Sequence, residues 1–162
     1  MAGLGLLDCN TTFSQQKVTT QVSGEIRPDL AGVFAACQEH SLVGYEIHMG
    51  HTELGEQAQP FSVLHKRNGE SINQCDGAIH LDGSVAGTYI HGFFDSDGLT
   101  RSLLNSLRER KGLEPLLGVE FHYQAFREQQ FDRLAAAMRE NIDIEAVYAI
   151  MRDHVAMQEK PQ

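Results

Sequence analysis

The chain has 162 residues, 41% hydrophobic and 22% charged, the proportions of one soluble globular domain with a core of its own. Its 13 basic and 22 acidic side chains leave a formal charge of −9, which repels phosphate backbones and argues against a nucleic-acid partner. No apolar run approaches the roughly 20 residues that cross a bilayer, and residues 1–7 lack the basic flank of a secretory signal. Cys9, Cys37 and Cys75 form an odd set without a CxxC pair, which fits a reducing compartment, so a cytoplasmic location is expected. No repeat, low-complexity tract or linker divides the sequence. Residues 1–162 read as one domain, strand-rich over 3–95 and helical over 96–155.

Leu4, Leu6 and Leu7 open the chain with a short apolar run. Over 17–26, Val18, Thr20 and Val22 fall on one side and predict a half-buried strand. Asp29 is placed to cap a helix over 30–40, whose apolar face would be Leu30, Val33, Phe34 and Cys37. Further strands are predicted over 42–49 and 61–65. Residues 78–81 and 84–90 flank Asp82-Gly83, the pair that a tight type I′ hairpin turn requires. The period then becomes helical. Leu99, Leu103, Leu104 and Leu107 share a face, with Gly112 as the stop. Arg108, Arg110 and Lys111 suit the negative end of that helix. Phe131, Leu134, Ala135 and Met138 make a second stripe. Ile144, Val147, Tyr148 and Met151 make a third, with Asp143 as its N-cap. All three stripes predict surfaces turned toward a core.

The 8 histidines raise the question of metal. Zinc needs three or four converging ligands with supporting partners. His48 and His51, with His40 and His65 elsewhere, do not converge along strand ends as i, i+4 pairs do on a helix, so no metal site is expected. Glu46 and His48 project from one face of their strand. They either shape a site or satisfy each other at the strand end, and the pattern favours neither. Alternation likewise puts Tyr89 and His91 on one side, with Ile90 turned into the core, and Gly92 lets the chain turn just beyond. A histidine at the rim of a parallel sheet is where open α/β folds place their sites. By pattern alone, His91 is equally well a surface histidine ending a strand. Cys9 has no glycine neighbours, Cys37 falls mid-helix and Cys75 precedes the hairpin, so all three read as small apolar fillers. Gly83, Gly87 and Gly92 belong to the hairpin and form no phosphate-cradling loop.

Two segments carry more than this. They are Gly44-Tyr45-Glu46-Ile47-His48-Met49-Gly50 and Gly87-Thr88-Tyr89-Ile90-His91-Gly92-Phe93-Phe94-Asp95. With Gly3-Leu4-Gly5-Leu6-Leu7-Asp8, Thr11-Thr12-Phe13, Asp76-Gly77-Ala78 and Phe131-Asp132-Arg133-Leu134-Ala135 in the same order, the sequence resembles the amidotransferase domain of cobyric acid synthases from Gly3 to Met151. The resemblance implies an α/β fold: the rear half of a class I glutamine amidotransferase-like (flavodoxin-like) domain, a mixed sheet with flanking helices and a helical C-terminal tail. The segment bearing the nucleophilic cysteine would be missing, since none of the three cysteines sits on the glycine-flanked turn that the family uses. The implied chemistry is glutamine hydrolysis by a Cys–His dyad. The ammonia would serve ATP-dependent amidation of corrin-ring carboxylates in cobalamin biosynthesis.

By the same resemblance His91 matches the catalytic histidine, and Glu46, His48 and Tyr89 are candidates for shaping the site. The implied partners are glutamine and an N-terminal synthetase domain, with no membrane and no nucleic acid. ATP and magnesium would belong to that synthetase domain, and this chain would carry no cofactor and no activity alone. Two other readings stay open: the glutaminase half of a cobyrinic acid a,c-diamide synthase, whose pattern around both histidine motifs differs, and a non-catalytic amidotransferase-like interaction module. Without its front half, such a domain would leave an open sheet edge and an apolar face. The chain is therefore expected to pair with itself about a two-fold axis. Light scattering at micromolar concentration should give the mass of a dimer, and a monomer would contradict the expectation.

Overall fold

The computed structural model describes residues 3–96, 98–118 and 121–158. Two long strands, β1 (Cys9–Ile26) and β2 (Ser41–Leu54), pair antiparallel from Cys9↔Leu54 to Glu25↔Ser41, with a bulge between Phe13 and Val18. Both run beyond the predicted 17–26 and 42–49. Their far ends carry little hydrophobic pattern and are held by backbone pairing and side-chain bonds such as Thr11 to Thr52 at 2.8 Å. β4 (Ser62–Arg67) and β5 (Glu70–Asp76) extend the sheet from β1, and the two-residue β8 (Ile90–His91) extends it from β2. The order is β5-β4-β1-β2-β8. β3 (Ala58–Gln59), β6 (Ala78–His80) and β7 (Ala86–Gly87) make a second, small sheet.

Sheets and helices together bear out the α/β class. Every described ladder is antiparallel, however, so the parallel rim expected around His91 is not what carries it. Parallel neighbours need a crossover of about a dozen residues, usually a helix laid on the sheet. Here the first α-helix comes only after the last strand.

The core lies on one face of the large sheet. Val22, Ile26, Leu42, Leu64 and Ile90 point inward and meet Leu30, Cys37, Phe61, Ile79, Phe93 and Leu99. Val18, Thr20 and Val22 are the less exposed alternate residues of β1, as predicted. A Cβ on Gly24 would overlap the Val63 carbonyl of β4, so the close crossing of β1 and β4 needs glycine there.

The helix predicted over 30–40 is instead a 3₁₀ stretch, Gly32–Cys37. Gly32 has a φ of 66°, outside the right-handed helical region, and its backbone nestles against Asp82 and Gly83. Asp29 does not cap it. Both carboxylate oxygens are taken by Arg27, at 2.9 and 2.6 Å. The apolar set survives the change: Leu30, Val33 and Cys37 are buried, and Phe34 packs on the core.

The hairpin over 78–90 also differs. A type I′ turn needs positive φ at both central positions, and of Asp82 and Gly83 only Gly83 has it, at 69°. Asp82 is engaged locally, accepting the Ser84 N–H at 2.8 Å with His80 Nδ1 also 2.8 Å away. β6 and β7 then share only Ala78↔Gly87 and Ile79↔Ala86 before the chain leaves for the large sheet.

Helix α1 (Leu99–Arg110) ends where glycine predicted. Gly112 has a φ of 66°, its N–H reaches Glu109 O and that of Leu113 reaches Arg108 O, each at 2.9 Å, which is a Schellman cap. Leu99 is buried and Leu103 packs on the core, but Leu104 and Leu107 are exposed, so only half of that stripe meets apolar surface. One compact unit runs to His122, and a second, from Tyr123, holds α2 (Tyr123–Asn141) and α3 (Ile144–Gln158). Asp143 caps α3 as predicted, accepting the Ala146 N–H at 3.0 Å. Phe131, Leu134 and Met138 of α2, with Val147, Tyr148 and Met151 of α3, are exposed instead of core-facing. Two helices enclose only a seam, which is narrower than the stripes these sequences carry. Among the described residues no helix is long and apolar enough to cross a membrane.

Candidate active site

The two segments singled out in the sequence lie side by side. β2 and β8 pair through Tyr45↔His91 and Glu46↔Ile90. Gly44 makes this possible, because a Cβ there would overlap the His91 carbonyl and come within 2.7 Å of Ile90 Cγ2. Along β2 the side chains then alternate. Val43, Tyr45, Ile47 and Met49 are exposed on the outward face, whereas Leu42 and Glu46 are buried on the other. His91 follows Tyr45 outward. Its imidazole is exposed and lies flat on the Tyr45 ring, with centroids 4.9 Å apart and planes 4° apart. Ile90 turns into the core as predicted.

On the inward face, beyond the core, the sheet opens into a cavity of about 500 Å³ whose lining includes Glu46, His48, Arg67, Asp76 and Tyr89. Glu46 is 2% exposed. A buried carboxylate needs partners, and it has the Thr20 hydroxyl at 3.0 Å and Arg67 Nη2 at 3.1 Å. Arg67 gives Nη1 to Gln74 at 2.8 Å, while its buried Nε has no partner among the described residues. His48 Nδ1 is 2.9 Å from the Gly50 carbonyl. A carbonyl only accepts, so Nδ1 carries the hydrogen, and in the neutral ring Nε2 is left as the acceptor. The His48 ring stacks on Tyr89 at 4.5 Å, and the Tyr89 hydroxyl meets Thr52 Oγ1 at 2.7 Å.

Glu46 and His48 thus share a face, as alternation predicted, but each is satisfied by other groups and not by its neighbour. Tyr89 and His91 do not share one: Tyr89 lines the inward cavity, and His91 stacks on the outward side. Alternation fails because residues 88–89 are a bend between two sheets and not part of a strand. Cys37 is a filler as expected, fully buried, with burial pushing its thiol up to about 11. Cys9 and Cys75 are not: both are exposed and line the cavity, one at the polar start of β1 and one on the edge strand β5. Among the described residues no three His, Cys, Asp or Glu side chains group as a metal site would require.

Arg67 carries no signal in the sequence, and Tyr45, Asp76 and Thr88 stand out there only as parts of the quoted segments. Asp76 ends β5 and is 7% exposed. Its Oδ2 accepts the Thr88 hydroxyl at 2.6 Å and the Ser62 hydroxyl at 3.3 Å. Burial raises its carboxyl above the ordinary value, helped by the negative Glu46 nearby, while Thr88, Ser62 and the Tyr89 N–H pull the other way.

Residues 1–99 match the CobB/CobQ-like glutamine amidotransferase domain. The chain belongs to that family. It is 51% identical over 162 residues to a cobyric acid synthase of Yersinia enterocolitica serotype O:8 / biotype 1B, a match covering 100% of this chain and 31% of that protein. A cobyric acid synthase of Photorhabdus laumondii subsp. laumondii is 51% identical over 154 residues, 95% of this chain and 30% of the relative. One of Thermoanaerobacter sp. is 43% identical over 149 residues, 92% and 29% of the two chains. The CobB/CobQ-like chain therefore spans less than a third of the length of these curated relatives.

The raised Asp76 carboxyl fixes the sign of a pH effect in this CobB/CobQ-like chain. The folded state binds that proton more tightly than the unfolded chain, so Asp76 lowers stability as pH rises from 3.8 through the folded value. Asp76→Asn does not titrate. Urea midpoints of the wild type relative to this variant should fall across that window and level off above it. A wild type that gains on the variant with rising pH would mean that the carboxyl is lowered instead.

Proposed function

We propose that this chain supplies the histidine of a glutamine-hydrolysing Cys–His pair in a cobyric acid synthase, and that it forms the C-terminal part of that enzyme. The observation that carries the reading is the exposed His91 imidazole, held flat on Tyr45 on an open sheet face, in the motif that resembles the family's catalytic histidine. His91 takes the proton of the thiol, and the thiolate attacks the glutamine amide carbon. The tetrahedral adduct collapses as the imidazolium returns the proton to the departing ammonia, and water then hydrolyses the thioester to glutamate.

The thiol has to reach the outward face. Cys37 is buried with its thiol pushed up to about 11, Cys9 lines the cavity on the inward side, and Cys75 lies on β5, at the sheet edge opposite β8 and His91. We therefore assign the nucleophile to the part of the longer relatives that this chain does not span. The same part would hold the synthetase domain with ATP and magnesium, where the ammonia amidates corrin carboxylates in cobalamin biosynthesis. Glu46, His48 and Tyr89 shape the site from beneath. The Glu46–Thr20–Arg67 bonds pin β2 under Tyr45, and the His48–Tyr89 stack braces the bend that precedes His91.

A second reading, a non-catalytic module that docks a partner through the Val43, Tyr45, Ile47 and Met49 face, is favoured only by the exposure of those residues. Ammonia release from glutamine separates the two. In a protein of the relatives' full length, His91→Ala should lower it by on the order of 10²- to 10⁴-fold, the usual contribution of a general acid–base group. The 162-residue chain should release none. Ammonia release by that chain alone, or an unimpaired His91→Ala enzyme, would overturn the assignment.

A further inference from the structure

The orientation of His91 is set just upstream of it, where the chain leaves the small sheet. Thr88 stands between β7 and β8, and its hydroxyl makes two bonds of fixed direction. Its hydrogen goes to Asp76 Oδ2 at 2.6 Å. Its oxygen accepts the Ile90 N–H at 3.0 Å. These bonds close the bend that sends Tyr89 inward and His91 outward. Ile90 is 5% exposed, so its N–H has little access to water as a substitute acceptor.

Asp76 is itself anchored. It ends the edge strand β5, pairs with Ser62 of β4 in the ladder, and accepts the Phe61 N–H through its carbonyl at 3.2 Å. β5 and β8 are opposite edges of the five-stranded sheet. The Asp76–Thr88 bond therefore fastens the approach to β8 onto the far side of the fold.

We propose that Asp76, acting through the Thr88 hydroxyl, is a positioning residue for His91 that fixes the 88–90 bend and thereby holds the imidazole against Tyr45. The catalytic meaning of that position rests on the reading of His91 as the base, but the relay itself does not. Its chemistry is consistent with the cost it carries, since a carboxyl raised by burial lowers stability wherever it stays ionised. Removing the hydroxyl leaves the Ile90 N–H without an acceptor and the bend without its clasp.

The test reads the His91 ring protons by NMR in the 162-residue chain. In the wild type they should show the upfield ring-current shift of stacking on Tyr45, with nuclear Overhauser contacts between the two rings. Thr88→Val should lose both, and Thr88→Ser, which keeps the hydroxyl, should restore them. Asp76→Ala, which removes the acceptor, makes the same test if the Val variant does not fold, with loss of the stack as the expected result. A stack that persists in Thr88→Val, or in Asp76→Ala where that variant replaces it, overturns the relay whatever His91 does in catalysis. A His91→Ala enzyme of full length that still releases ammonia overturns the catalytic reading and leaves the relay standing.

Discussion

Close approach of the Ile90–His91 pair to Gly44 decides where the His91 imidazole can be. β8 is only two residues long, and such a short strand has little pairing energy of its own. It stays beside β2 because position 44 carries no side chain and lets the His91 carbonyl approach. Once the pair forms, strand geometry does the rest. Tyr45 and His91 fall on the same outward side, and Glu46 and Ile90 on the inward one. The glycine of the first segment is thus the condition for the histidine of the second.

Beneath the Tyr45–His91 stack lie two buried carboxylates, Glu46 and Asp76, each an expense to the fold. Glu46 is offset by Arg67 and Thr20. Removing one member of a buried ion pair commonly costs about 3–5 kcal/mol, and less where, as for Arg67, one partner reaches solvent. Asp76 is held by hydroxyls and a backbone N–H, with Glu46 as an unfavourable neighbour. A chain selected for stability alone would fill this region with apolar side chains. The polar clasp instead ties the β5 edge, the small sheet and the approach to His91 into one arrangement.

Where the chemistry is local, the sequence could be read directly. Asp143 three residues before Ala146, and Gly112 after a leucine stripe, produced the caps that they predict. Ile90 inward and Glu46 with His48 on one face followed from alternation. Local reading failed where a distant group intervened. Asp29 is claimed by Arg27, and Gly32 is bent to fit the backbone of residues 82–83. Tyr89 faces away from His91, against the period of two, because alternation stops where the chain changes sheets. Asp76 and Arg67 were not legible at all as site residues, since their partners Thr88 and Glu46 lie 12 and 21 residues away in sequence. The exposed helical stripes of α2 and α3 show the same limit, because periodicity tells which residues share a face and not whether anything covers it.

The role given to Gly44 can be tested on its own. In Gly44→Ala, cross-strand nuclear Overhauser contacts between Tyr45 and His91 should vanish, while those between Gln21 and Tyr45 across the β1–β2 ladder persist. Retention of the Tyr45–His91 contacts at full intensity would show that β8 docks without the glycine, and would contradict the account.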